Sequence, residues 1–145
     1  MKMTDSDLKK YPKLTFYVKN NLPDIVHAPV IVQAMNKIGQ INRARLIAAL
    51  KWGAGPRIKI VPGLAACGKF FPAAGSNELQ IDQRLVKDFE NGKGTRRARA
   101  GNVYVVGVTL LHELIHWGDN LDGIDRLNEE GEEFERLVYG SVIPC

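Results

Sequence analysis

The chain is poor in the residues that would make its chemistry ambiguous. It has two cysteines, Cys67 and Cys145, in 145 residues, too few for a disulfide framework. Two unpaired thiols are the expectation, with a single bridge as the alternative. No apolar run approaches the ~20 residues needed to span a bilayer. The opening "MKMTDSDLKKYPKLTF" carries no apolar core of the kind a cleavable secretory signal requires. There is no internal repeat and no low-complexity tract. A net charge of +4 is too weak to argue for nucleic acid. The basic run Lys93, Arg96, Arg97 and Arg99 has no interleaved aromatics and no recognisable nucleic-acid motif, which disfavours that class of partner.

What is present reads as one soluble α+β domain over residues 1–145, with residues 1–20 loosely held. "DIVHAPVIVQAMNKIGQINRARLIAALKWGAG" places Ile31, Met35 and Ile38, then Leu46, Ile47 and Leu50, at helical spacing, and Gly53, Gly55 and Pro56 stop it. "PRIKIVPG" and "NELQID" alternate apolar and polar residues as short strands do. Asp82 reads as the cap of a helix "QRLVKDFENG" ending at Gly92. "GKGTRRARAGN" reads as a flexible basic loop. Val103 to Trp117 is apolar around most of its circumference, which predicts a buried central helix. A last helix is expected from about Glu129 to Tyr139. The expected architecture is a small sheet packed against the buried helix and its neighbours.

That buried helix contains "VTLLHELIHWGD". Buried ionisable groups cost free energy unless they are paired or bound to a metal. His112 and His116 are four residues apart and project from one helical face. Two imidazoles so placed can share one Zn²⁺, and Glu113 beside the first can take a proton from water and pass it to a leaving amine. His-Glu-x-x-His on a helix is the metalloprotease signature. By residue usage the pattern arises by chance in roughly one chain of this length in a few hundred.

A catalytic zinc needs a third protein ligand. His27 lies far upstream and no histidine follows the motif, which excludes the three-histidine metzincin pattern. Glu130 is the first choice, because Gly131 lets a second helix approach closely and Phe134 can lock that helix to the core. Glu133, Glu135, Asp119 and Asp122 stay open as alternatives. Asp119 can instead accept a hydrogen bond from a ligand imidazole.

"LLHELIHWGD", then "DG", "EEGEEFE" and "VYG", together resemble the zincin-like metallopeptidase toxin domains of bacterial polymorphic toxins and secretion-system effectors, most closely the type called metallopeptidase toxin three. The similarity extends back through "CGKFFPAAGSNELQIDQRLVKDFENG", roughly the second half of the chain. The resemblance implies a zinc endopeptidase of a target-cell protein and a cognate immunity protein in the producer. Delivery would occur without a cleavable signal peptide, or as the toxin domain of a larger exported protein. It carries His112, Glu113 and His116 over as ligand, base and ligand, and it supports Glu130. Zincins commonly hold substrate as an added strand, for which "NELQID" is the candidate edge. Tyr139, or else Tyr104, is the candidate donor to a tetrahedral oxyanion. The rival reading is a non-catalytic zinc-stabilised module that engages an acidic protein or nucleic acid through residues 93–99.

Overall fold

The computed structural model describes residues 1–122 and 129–145, with Asp122 described by its backbone alone. Among the described residues the chain is a mixed α+β domain. Helices α1 (Asp5–Lys10) and α2 (Pro12–Phe16) lead through a π-helical turn and a 3₁₀ segment to α3 (Pro29–Gly39) and α4 (Arg43–Leu50). Strands β1 (Arg57–Val61), β2 (Gly68–Lys69) and β3 (Glu78–Asp82) follow, then α5 (Gln83–Glu90). The hairpin β4 (Thr95–Ala98) and β5 (Gly101–Tyr104) precedes α6 (Val105–Asp119), and α7 (Glu130–Tyr139) closes the fold.

The opening segment is folded, in contrast to the loose attachment its polarity suggested. The Lys2 amide and carbonyl bond to Pro56 and Ile58, adding the first residues to the outer side of β1. Leu14 and Val18 are buried, and the Glu90 carboxylate accepts from the amides of Lys13 and Leu14 at the start of α2. Its polar residues cover a thin apolar stripe that a composition reading does not register.

The three-stranded sheet has the order β1-β3-β2, with β1 parallel and β2 antiparallel to β3. Ile58, Leu79 and Ile81 point into the core. "NELQID" is therefore the central strand and not an edge. Leu79 and Ile81 alternate as any half-buried strand does, and that alternation carries no information on which neighbours the strand has. Among the described residues, the free edge beside α6 belongs to β2.

The basic segment is also more ordered than expected. Residues 95–104 form an antiparallel hairpin pairing Arg96 with Val103 and Ala98 with Gly101. Val103 and Tyr104 accordingly belong to β5, and the central helix starts at Val105. Cys67 and Cys145 are bonded to each other across 78 positions, which corrects the expectation of two free thiols. Their Cα atoms are 5.9 Å apart, within the ordinary reach of a bridge. Closing so long a loop removes on the order of 4 kcal/mol of unfolded-chain entropy.

Helix α6 runs through the middle, against the sheet on one side and α3 and α7 on others. Thirteen of its fifteen residues are buried, and the two that are not are His112 and His116. An otherwise enclosed helix thus opens to solvent at the histidine pair alone.

Candidate active site

The two histidines are presented by regular helical spacing. Their rings lie 5.3 Å apart between centroids, tilted by 51°. Each meets a carboxylate from α7, the helix that crosses α6. His112 Nδ1 lies 2.5 Å from Glu135 Oε1, and His116 Nδ1 lies 3.6 Å from Glu130 Oε2. Both glutamates are buried. The approach depends on Gly131, because a Cβ there would run into the His112 imidazole. The expectation that a residue without a side chain brings these helices together holds, and the group it admits is the His112 ring.

Glu113 is buried and faces the other wall. Its Oε1 is 4.0 Å from His112 Nε2. A Cβ on Gly68 of β2 would meet the Glu113 side chain at 2.9 Å and that of Thr109 at 2.8 Å. The sheet edge therefore lies directly on the glutamate. A cavity of about 210 Å³ contains His112, Glu113, Glu129, Glu132 and Glu135, walled in part by Gly68 and Ile143. Burial pushes the Glu113 carboxyl up to about 7, against the pull of His112, with Glu135 and Glu129 adding to the rise. Burial works against a charged His112, but the Glu135 hydrogen bond and the charges of Glu113, Glu135 and Glu129 outweigh it and leave its pKa raised.

The remaining candidates separate clearly. Glu133 is exposed on the outer face of α7. Asp119 is buried and accepts a bond from the Gln40 side chain at 3.2 Å. The Asp122 side chain lies outside the described residues. Tyr139 packs edge-on against Phe134 and lines a separate cavity with Ile31 and Val103. Burial raises its pKa, and it does not line the cavity that holds Glu113. Tyr104 is half-exposed in an aromatic cluster with Tyr17 and Phe89. Neither tyrosine lines the cavity that holds Glu113. Of the four basic residues, Lys93, Arg97 and Arg99 are exposed, and none lines the cavity.

Sequence reasoning missed the grouping of Glu129, Glu132 and Glu135 around His112. Their spacing of three residues was the available signal, since such residues share one helical face. It also missed that Ile143, beyond α7, donates its amide to Glu135 Oε2 at 2.6 Å.

The donor chemistry suits a zinc ion: two imidazoles one turn apart, with a buried carboxylate from a crossing helix. Among the described residues, however, no three His, Cys, Asp or Glu side chains converge as a metal-holding group. His116 and Glu130 present themselves to each other. No helix among the described residues is long and apolar enough to cross a membrane.

Fold and site together define a small α+β domain built around a histidine–carboxylate centre. Residues 7–140 match the family described as metallopeptidase toxin 3, and the chain belongs to that family. The match begins far upstream of the second half of the chain that carried the sequence resemblance. No curated protein and no solved structure matches the chain. The family's description indicates a toxin that acts as a metal-dependent peptidase on a protein substrate.

Proposed function

We propose that this protein is a zinc-dependent endopeptidase that acts as a toxin on a protein of the target cell, with Glu113 as its general base. The observation that carries this reading is the placement of Glu113: a buried carboxylate in the wall of a cavity, next to the two solvent-open positions of a buried helix. His112, His116 and Glu130 are the residues that would hold the metal, by the match of two imidazoles and a carboxylate to zinc. When bound, the metal supplies Lewis-acid polarisation of the scissile carbonyl and of water.

The chain's own groups do the rest. Glu113 takes a proton from water at its carboxylate and delivers it to the departing amine nitrogen. Without metal, burial holds that carboxyl up to about 7. Glu135 holds the His112 ring through Nδ1, leaving Nε2 directed away from that bond. The free edge of β2 offers backbone groups to an extended substrate, and Gly68 brings that edge against Glu113. Delivery into a rival or host cell and a cognate immunity protein in the producer follow from the toxin reading. The Cys67–Cys145 bond supports passage through an oxidising compartment.

The test is Glu113→Gln. Glutamine keeps the shape but accepts no proton at neutral pH, so peptide hydrolysis and toxicity in a sensitive bacterium should fall by about 10²–10⁴-fold. Zinc content and the circular-dichroism spectrum should stay unchanged. A zinc-loaded glutamine variant with near-normal hydrolysis would remove Glu113 from the role of base, whereas zinc-loaded wild type without hydrolysis would transfer the weight to a non-catalytic, metal-stabilised binding module.

A further inference from the structure

We infer that the Cys67–Cys145 disulfide is a thiol-sensitive latch on the active site, acting through Ile143 and Glu135 on the His112 ring. The bond ties the segment after α7 to the residue that precedes β2. Cys67 is itself fixed to the sheet, since its carbonyl accepts from the Asp82 amide at 2.9 Å. Between α7 and Cys145, the Ile143 amide bonds to one oxygen of Glu135, and the other oxygen meets His112 Nδ1. Sheet, disulfide, tail, glutamate and histidine thus form one closed ring of contacts. Cys67 and Ile143 also wall the cavity that contains Glu113.

The bond can be reached from outside. Both cysteines line a second, wider cavity of about 890 Å³, together with Asp82, Arg84, Lys87 and Asp88. That space admits a low-molecular-weight thiol. A thiolate attacks one sulfur, the S–S bond breaks, and the other sulfur leaves and takes a proton. A second external thiol resolves the mixed disulfide. Two external thiols are oxidised to one disulfide, and Cys67 and Cys145 are reduced. The tail then loses its disulfide tie to the sheet. Glu135 loses the fixed amide that orients it, and His112 is no longer held in one tautomer and one orientation. Glu135 is on this account a positioning residue.

The bearing on zinc rests on the peptidase reading proposed above; the coupling itself does not, so the first measurement is made on the metal-free full chain. Dithiothreitol should raise hydrogen exchange at the Ile143 amide at least about tenfold while the Leu110 and Leu114 amides in α6 stay protected. It should also shift the His112 imidazole nitrogen resonances, and reoxidation should restore both. With the disulfide intact, Glu135→Gln should shift the same imidazole signals. The double variant Cys67→Ser/Cys145→Ser, which has no thiols to bind metal, should then bind Zn²⁺ about 10–100-fold more weakly than the oxidised protein in a chelator competition. An Ile143 amide that stays protected and His112 signals that do not move on reduction would overturn the latch and leave the disulfide a simple staple. So would equal zinc affinity of the oxidised and serine proteins. If the serine variant does not fold, the reduced wild type decides by the same amide and imidazole signals. Failure of both proteins to bind zinc would count against the peptidase reading, while those signals still decide the coupling.

Discussion

The α6–α7 pair and the β4–β5 hairpin treat charge in opposite ways. In the helix pair, Glu113, Glu130 and Glu135 are buried, and each lies within 4.0 Å of an imidazole. In the hairpin region, Lys93, Arg97 and Arg99 face solvent, and Arg96 bonds to the backbone of its own neighbour Thr95. Burying a carboxylate costs several kcal/mol unless the surroundings compensate, whereas a solvated arginine costs almost nothing. The hairpin has the denser charge in sequence and the helix pair has the costlier one. Cost is the better guide to chemistry.

The largest effect should come from breaking the helix pair at its ligands. His112→Ala and His116→Ala should each lower zinc affinity by more than the about 10–100-fold that loss of an outer partner costs, and hydrolysis should fall with it. Full zinc occupancy in either variant, measured by elemental analysis, would remove that histidine from the centre.

Gly131→Ala comes next and has an informative sign. In a plain exposed helix, alanine for glycine would stabilise by up to about 1 kcal/mol. Here the added Cβ runs into the His112 ring, so overpacking of about 1–3 kcal/mol should win. Chemical denaturation of the metal-free protein reads the sign directly. A stabilised variant would mean that α7 sits further from α6 than described.

A smaller effect follows from the Glu113 carboxyl. Its folded pKa is about 7 against an ordinary 4.5, so the folded protein holds this proton more tightly than the unfolded chain does. The stability tied to the neutral form is complete below pH 4.5 and is lost as pH rises through about 7. Metal-free wild type should therefore lose, relative to Glu113→Gln, on the order of 1–3 kcal/mol across that window. Parallel stability curves for the two proteins would show that Glu113 is not desolvated.

How much of this was legible in the sequence depends on how local each feature is. Helix α6, which begins at Val105 and not at Val103, and the close approach of α7 at Gly131 are written in short-range spacing. Asp82 caps α5 as expected, its carboxylate accepting from the Arg84 amide. Features that depend on distant partners were not legible. Strand β3 alternates identically whether central or at an edge, and Cys67 and Cys145 meet across 78 positions with nothing in either neighbourhood to announce it. The pairing of Glu135 with His112 and Ile143 belongs to the same kind. Glu135 was one acid among five until the packing of α7 on α6 set it against His112.

The smallest effect is the sharpest test of the contrast between the two regions. Replacing Lys93, Arg96, Arg97 and Arg99 by serine removes four cations from a surface that does not line the Glu113 cavity. Surface charges act on a distant site through a field screened within about 10 Å at ordinary salt. Zinc content should be unchanged, and hydrolysis of a short neutral peptide should change less than about two-fold. Stability should move by no more than about 0.5 kcal/mol, as for other exposed substitutions. Association with an acidic protein is a different matter. There the same replacement should slow binding at low salt, and the difference should vanish as salt is added. Loss of peptide hydrolysis at low and high salt alike would place the hairpin inside the active site and erase the distinction between costly and inexpensive charge on which the assignment of Glu113 rests.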